Sequence, residues 1–230
     1  MNKDLIKKKY QKKIKLYNYY NKKYYNENIS EILDSEFDNL KKEIIEFEQK
    51  YNFLKSKKSP LSSVGYKPSK NFKKVAHRVP MLSLANAFSE EDLLNFEKKI
   101  FNFLNIKKEE FEIEYSAEPK IDGISASLIY KKGKLVTGLS RGDGKEGEDI
   151  TENLKTIGDI PKEIFSKDFP LEIDIRGEVF IKNSDFKKLS YKFANPRNAA
   201  SGSLRQKDPL ETKKIPLNFI AYTFGFEKNL

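Results

Sequence analysis

Hydrophobic residues recur at helical spacing in two stretches near the start of the chain. In residues 4–26 they lie four, four and three positions apart, as along one face of an amphipathic helix. A second stripe follows Asp34, a residue type that caps helix N-termini. The two stripes are Ile6, Tyr10, Ile14 and Tyr17, and then Phe37, Leu40, Ile44, Phe47 and Tyr51. We predict two helices packed through these stripes, which makes residues 1–55 a small helical unit.

The amino-acid composition changes after the second predicted helix. Residues 56–75 are rich in Ser, Pro, Gly and Lys, which is typical of a linker or a long surface loop. A third helix is predicted after Ser89, where three acidic residues follow the capping hydroxyl. Its apolar stripe consists of Leu93, Phe96, Ile100 and Phe103.

From residue 111 onward the pattern becomes mainly that of strands. Apolar and polar residues alternate, or short apolar runs occur between turn residues, which predicts strands in an antiparallel arrangement. The predicted strands are 111–117, 124–130, 134–140, 171–181 and 217–224, with a hairpin turn at 131–134. Helices followed by such a sheet indicate an α+β fold.

Charge is distributed unevenly along the chain. The 230 residues carry 44 basic and 34 acidic side chains, a net charge of +10. Residues 1–23 alone hold nine lysines and a single acid, Asp4. A basic surplus suits a polyanion such as nucleic acid, although solvated lysine-rich faces are an equally simple interpretation.

Several kinds of site are excluded by composition. The chain has no cysteine, so it has neither disulfides nor a cysteine zinc site, and its one histidine, His77, cannot build a multi-histidine metal site. It has no apolar run long enough for a membrane span and no apolar signal-peptide core. These features predict a soluble, cytoplasmic protein.

The segment 118–123 (EPKIDG) contains the most suggestive chemistry. Lys120 has an acid two residues away on each side, Glu118 and Asp122, and Gly123 permits backbone to approach a ligand closely. A lysine becomes a covalent nucleophile when its surroundings favour the neutral amine. A solvated lysine on a surface hairpin is the plain alternative.

Three further polar groups follow the lysine. Arg141 opens a glycine-rich loop whose N–H groups could approach phosphate or ribose. Arg176 and Glu178 share one face of a predicted strand, as a ligand site or as parts of a salt bridge. Arg197 and Arg205 lie among Ala, Ser and Gly, where guanidinium forks suit phosphate oxygens.

Five blocks of this sequence resemble the N-terminal adenylation region of bacterial NAD⁺-dependent DNA ligases. The blocks are HRVPMLSL at 77–84, EPKIDG at 118–123, RGDGKEGEDITEN at 141–153, RGEVF at 176–180 and FANPRNAASGSLRQ at 193–206. They occur in the family's order and cover most of residues 75–225. The resemblance implies a covalent nucleotidyltransferase that uses NAD⁺ and Mg²⁺ in replication and repair.

The resemblance also implies residue roles. Lys120 would attack the α-phosphate of NAD⁺, hold AMP and release nicotinamide mononucleotide, with Asp122 positioning it and Mg²⁺ near Asp122 and Glu178. Arg197 and Arg205 would serve the phosphates or nicked double-stranded DNA. The residues implied to contact the adenylate are Ser83, Leu84, Glu118, Arg141, Glu178 and, by stacking on the adenine, Tyr222.

The helical unit corresponds to the family's nicotinamide-binding preface. Its signature, Asp-x-x-Tyr-Asp, is matched by Asp34 and Asp38, while Phe37 stands at the tyrosine position. The family's upstream Tyr-His pair falls on Tyr24 and Tyr25. Tyr24, Asp34, Phe37 and Asp38 are therefore the predicted nicotinamide contacts.

Two domains are expected, a helical subdomain with linker at 1–74 and a nucleotidyltransferase domain at 75–230. The second is expected to be incomplete, because the family continues into further lysine motifs and DNA-binding domains. DNA binding by this part alone is then expected to be weak. The alternatives are an ATP-dependent ligase or capping-type nucleotidyltransferase, and a non-catalytic fragment that binds NAD⁺ or DNA.

Overall fold

The structure is a computed structural model that describes residues 3–23, 31–32, 34–54, 72–84, 86–107, 109, 111–189, 193 and 195–229, with the backbone alone at 34 and 35. These residues belong to two compact units, one of 1–81 with 121–230 and one of 82–120. The division predicted between residues 74 and 75 stays a prediction. Among the described helices, none combines the length and apolar content needed to cross a bilayer.

The described residues form helices together with antiparallel strands, which confirms the predicted α+β class. The helices are α1 (Lys3–Lys22), α2 (Asp34–Lys50), α3 (Glu90–Leu104), α4 (Thr151–Leu154), α5 (Asn183–Phe186), α6 (Pro196–Leu204) and α7 (Pro209–Lys213). The strands are β1 (Lys74–Ala76), β2 (Ile124–Lys131), β3 (Lys134–Ser140), β4 (Glu146–Glu148), β5 (Glu172–Phe180) and β6 (Asn218–Lys228).

Helices α1 and α2 pack through the predicted stripes. Ile44 is fully buried, and the rings of Tyr17 and Phe37 stack with centroids 4.9 Å apart. At the edge of this contact the Tyr10 hydroxyl donates to Glu48 Oε1 over 2.5 Å. The helix pairing read from the 3.6-residue periodicity is thereby confirmed.

Four strands form the main sheet, in the antiparallel order β3-β2-β5-β6. Strands β2 and β3 are joined by a two-residue turn at Lys132 and Gly133, which both have positive φ (49° and 73°). Such a turn matches the twist of the paired strands, so the predicted hairpin is confirmed. Strands β1 and β4 pair separately as a short two-stranded ribbon.

The main core lies against one face of this sheet. Tyr130 is almost fully buried there, and its hydroxyl donates to the Pro161 carbonyl over 2.7 Å. Burial raises the pKa of Tyr130 to about 12. The buried core residues include Ala126, Leu128, Leu135, Ile150, Leu154, Ile157, Val179, Ala199, Ala200 and Leu204. The core therefore joins the sheet to α4, α6 and the connecting segments.

The strand predicted at 111–117 is absent. Residues 111–122 have no regular secondary structure, and their side chains are exposed apart from partly buried Ile113 and Ile121. Alternation of apolar and polar residues describes the two faces of a strand, but a strand also needs a hydrogen-bonded neighbour. In the described sheet, β2 pairs with β3 and β5 instead, so Lys120 precedes a strand without following one.

The unit of residues 82–120 contains α3. The helix begins after Ser89, whose Oγ accepts from the Asp92 N–H over 3.2 Å, and it ends at Asn105 in the left-handed conformation (φ 54°). The predicted cap is thus confirmed, because the hydroxyl satisfies a donor that has no partner within the helix.

Candidate functional site

A small, open cavity lies beside the start of β2, and three arginines lie in its wall. The wall combines the start of β2, the end of β3, the loop after β3 and one side of α6. Its lining consists of Ile124, Ser125, Ser140, Arg141, Gly142, Arg197, Asn198, Ser201 and Arg205. Sequence blocks that lie far apart along the chain therefore meet at one place.

The loop after β3 is held by bonds of its own. Asp143 Oδ1 accepts from the N–H groups of Lys145 and Glu146, each over 2.9 Å. Burial alone would raise the pKa of Asp143, but these backbone bonds and the Lys145 charge hold it below its ordinary value. The loop therefore presents Arg141 and Gly142 to the cavity in a fixed conformation.

His77 supports this loop through two hydrogen bonds. Its ring Nε2 lies 3.1 Å from the Arg141 carbonyl oxygen, which can only accept, so Nε2 carries the proton. Its backbone N–H donates to the Lys145 carbonyl over 2.8 Å. Burial lowers the pKa of His77 from its ordinary value, against the raising effect of the bond to Arg141. The only histidine of the chain therefore supports the loop as a neutral donor.

The three arginines of the cavity have different partners. Arg197 Nη1 lies 3.0 Å from Asp122 Oδ1, whose side chain is 63% exposed. Arg205 Nε lies 3.2 Å from Glu148 Oε2, and Glu148 is only 1% exposed. No carboxylate among the described residues pairs with the Arg141 guanidinium. The wall therefore holds one cation available to a ligand and two that are already oriented by acids.

Gly123 brings the Asp122 segment close to the sheet. A Cβ at this position would lie 2.2 Å from the Val179 carbonyl oxygen, a distance that no side chain tolerates. The backbone can therefore pass over β5 only because this residue is glycine. The close approach sets the point from which Asp122 reaches Arg197.

The face of β5 away from the core is polar. Glu178 Oε2 accepts from the Ser125 hydroxyl over 2.8 Å, and Ser125 is also part of the cavity wall. Two residues earlier, Arg176 Nη1 donates to the Pro80 carbonyl over 3.2 Å and Nη2 donates to the Val79 carbonyl. The predicted shared face of Arg176 and Glu178 is confirmed, with Arg176 bound to backbone and Glu178 beside the cavity.

Arg78 also binds side chains of β5, at positions before Arg176. Its guanidinium binds both oxygens of Asp174, donates to Glu172 Oε2 over 2.5 Å and lies 4.0 Å from the centroid of the Phe226 ring. Because Arg78 and Arg176 both hold the segment 77–81, that segment is fixed to β5 and β6.

Tyr222 lies half-exposed on β6, two residues beyond the position that pairs with Glu178. Burial raises the pKa of Tyr222, and its interaction with the Ser125 hydroxyl opposes that shift. The Tyr222 hydroxyl thus lies near Ser125 and Glu178, and about half of the side chain is exposed. Its stacking on adenine stays a prediction.

The remaining predicted residues fall outside this group. Lys120, Glu118, Ser83 and Leu84 belong to the unit of 82–120, and all four side chains are exposed. Tyr24 lies outside the described residues, as does the side chain of Asp34. The roles predicted for these residues stay predictions.

Phe37 and Asp38 are described within the first five residues of α2. The Phe37 ring stacks on Tyr17, so it contributes to the contact between the helices whatever else it does. Asp38 is partly buried on the same helix. Their predicted contacts to nicotinamide are not tested by this geometry.

Several residues of the cavity were not singled out by the sequence. Ser125, Ser140, Asn198 and Ser201 carried no chemical signal, because serine and asparagine occur throughout surface segments. Glu148, the partner of Arg205, lies 57 positions before it in the chain. Only the packing of α6 against the sheet brings these groups together.

No group of three His, Cys, Asp or Glu side chains among the described residues could hold a metal ion. Asp122 and Glu178, the residues predicted near Mg²⁺, are bonded to Arg197 and Ser125. Mg²⁺ commonly takes one or two carboxylates and completes its shell with waters and substrate phosphates. The two acids fit that limited contribution and do not form a cage.

Two family models match the chain and together cover nearly all of it. Residues 69–230 match the NAD-dependent DNA ligase adenylation domain, and residues 3–65 match the DNA ligase-like N-terminal NAD⁺-binding domain. The chain belongs to the NAD-dependent DNA ligase family and contains its NAD⁺-binding and adenylation domains. The family inferred from the five sequence blocks is therefore confirmed.

Individual relatives agree with this assignment. The chain is 67% identical over 230 residues to a DNA ligase of Pelagibacter ubique, and the match covers all of this chain and 34% of that protein. It is 49% identical over 214 residues to a DNA ligase of Parvibaculum lavamentivorans, covering 90% of this chain and 30% of that one. The chain thus spans about a third of the length of the curated relatives it matches.

Proposed function

We propose that this chain carries out the adenylation step of an NAD⁺-dependent DNA ligase. The Lys120 Nζ attacks the α-phosphorus of NAD⁺, a P–N bond forms, and the bond from phosphorus to the bridging oxygen breaks. Nicotinamide mononucleotide leaves with that oxygen, and the amine loses a proton. The product is AMP held on Lys120 as a phosphoramidate, ready for transfer to the 5′-phosphate of nicked DNA.

The observation that carries this proposal is the arginine-lined cavity next to the Asp122 segment. Guanidinium groups are well suited to phosphate oxygens, and charge develops on those oxygens during phosphoryl transfer. Arg141 is available to them, while Arg197 and Arg205 are oriented in advance by Asp122 and Glu148. Lys120 lies two residues before Asp122 in the chain. Family membership supports the same assignment.

Other residues of the chain would bind the adenosine, the Mg²⁺ and the nicotinamide half of NAD⁺. Glu178 and Tyr222 would contact the adenosine, with Ser125 linking them to the cavity. Asp122 and Glu178 would contribute ligands to Mg²⁺, whose chemistry is to offset negative charge on the phosphates. Asp34, Phe37, Asp38 and Tyr24 would bind the nicotinamide half. A DNA substrate would place the protein in the bacterial cytoplasm.

Intact mass after incubation with NAD⁺ and Mg²⁺ tests the proposal. We expect a gain of one AMP with NAD⁺ and no gain with ATP. Lys120→Arg keeps the charge but removes the nucleophilic amine, so it should abolish the gain. Lys162→Arg makes the same change at another exposed lysine and should leave it intact.

The other readings give different results in the same experiment. Labelling from ATP but not from NAD⁺ would indicate an ATP-dependent nucleotidyltransferase. Saturable NAD⁺ binding without release of nicotinamide mononucleotide would indicate a non-catalytic binding fragment. Labelling that survives in Lys120→Arg would show that another residue is the nucleophile.

A further inference from the structure

The outer face of α1 is an exposed lysine surface. Residues 1–23 contribute nine lysines and one acid, a net charge of +8, whereas the whole chain has +10. The other 207 residues therefore hold 35 basic and 33 acidic side chains, a net charge of only +2. Basic residues without nearby acids also occur at 51–80, which hold eight basic residues and no acid. Eight of the nine lysines in residues 1–23 lie on a single helix, α1.

The structure shows which way these charges point. Ile6 and Tyr17 are buried on the side of α1 that faces α2, and Lys13 bonds to Glu43 at the edge of that contact over 2.6 Å. The exposed lysines, for which the described residues supply no carboxylate partner, are Lys7, Lys8, Lys9, Lys12 and Lys15. We call these five the α1 lysine face.

Three members of the α1 lysine face form a continuous line. Lys8, Lys12 and Lys15 have the spacing i, i+4, i+7, so they project from one side of the helix. The line extends about 10 Å along the helix axis at 1.5 Å per residue. Duplex DNA carries a phosphate charge for every 1.7 Å of its axis, about six over that length. The long lysine stems can reach such phosphates without exact registration.

From this placement we propose that the α1 lysine face binds the phosphate backbone of duplex DNA, without reading base sequence. The choice of DNA as the polyanion rests on the proposed function. An acidic lipid surface fits less well, because insertion requires a broad apolar face. The main apolar stripe of α1 is covered by α2, and the large apolar side chains left exposed on the helix are Leu5, Leu16 and Tyr19. The predicted nicotinamide contacts are Tyr24 and three of the first five residues of α2, so DNA on α1 would not use the same residues.

A salt series of DNA binding tests this proposal with matched variants of the whole chain. One variant is Lys8→Gln/Lys12→Gln/Lys15→Gln, and the control is Lys162→Gln/Lys167→Gln/Lys213→Gln, which removes three charges from exposed lysines elsewhere. Glutamine has nearly the helix propensity of lysine, so α1 should persist, and circular dichroism checks this. Binding to a labelled duplex is measured from about 50 mM to about 200 mM salt.

Each phosphate contact contributes about 0.9 to the slope of log K against log salt. We expect the α1 variant to lose about 2 to 3 from that slope and at least tenfold in affinity at low salt. The control should change the slope by less than about one. Equal changes in the two variants would show that only total charge matters and would overturn the proposal. It would also be overturned if the α1 variant lost binding to phosphatidylglycerol vesicles while keeping its DNA slope.

AMP labelling by NAD⁺ is measured on the same samples. The α1 variant should label as the unaltered chain does, because its three lysines lie outside the proposed adenylation residues. A chain that fails to label but shows the expected difference in slope would refute the proposed adenylation and retain the DNA surface. Normal labelling with no difference in slope between the two variants would refute the DNA surface and retain the proposed adenylation.

Discussion

The cavity and α1 present positive charge in two different ways. In the cavity, Arg197 and Arg205 are fixed by Asp122 and Glu148, so their positions are set before any ligand arrives. On α1 the five lysines of the lysine face extend into solvent on flexible stems. Fixed guanidinium forks suit the geometry of a reacting phosphate, whereas mobile ammonium groups suit an extended polyanion of variable position. The fixed arginines are suited to positioning a phosphate group, whereas the mobile lysines are suited to attracting a polyanion.

The largest effect should come from removing Arg205, because its partner is almost fully buried. Arg205→Ala removes the guanidinium that lies 3.2 Å from the buried Glu148 carboxylate, and we expect a loss of about 3 kcal/mol in the free energy of unfolding. Urea denaturation measures this loss. Adding Glu148→Gln, which removes the buried charge, should recover more than half of it. A loss below about 1 kcal/mol would mean that the buried carboxylate does not depend on Arg205.

An intermediate effect should appear as a pH dependence due to His77. Because burial lowers its pKa in the folded state, the unfolded chain binds the proton more readily. Stability should therefore be complete above pH 6.5, the ordinary value, and should fall as pH drops from there toward the lowered pKa. His77→Gln keeps an N–H donor for the Arg141 carbonyl and removes the titration.

Urea denaturation at about pH 7.5 and about pH 5.5 checks this, since those values lie on either side of the ordinary histidine pKa. The chain contains no other histidine, so the variant should show a clearly smaller fall. An equal fall in both proteins would assign the pH dependence to other groups. The histidine resonance in a proton NMR titration gives the pKa directly.

The smallest change in stability should come from Arg197→Ala. Its partner Asp122 is well exposed, and an exposed ion pair contributes about 0–1 kcal/mol. We expect the free energy of unfolding to change by less than about 1 kcal/mol, while AMP labelling falls at least tenfold. Arg205→Ala and Arg197→Ala would then differ in stability more than in labelling. A large loss of stability in Arg197→Ala would show that the exposed and the buried ion pair contribute similarly to folding.

Much of the fold follows from local patterns. The α1 and α2 stripes, the Ser89 cap and the β2–β3 turn were all readable, because each depends on residues close together in the sequence. The strand predicted at 111–117 fails for the opposite reason. Its alternation is local, but pairing depends on which distant strands occupy the sheet.

By itself, the sequence determined the family, the helical stripes and the chemical character of Lys120, Arg141, Arg197 and Arg205, since motifs and periodicity are properties of the linear chain. Only the tertiary structure decided how those arginines differ. Glu148 reaches Arg205, and His77 supports the Arg141 loop, through contacts between residues 57 and 64 positions apart. The energy of a charge depends on its partner and its burial, and both arise only when distant segments pack together.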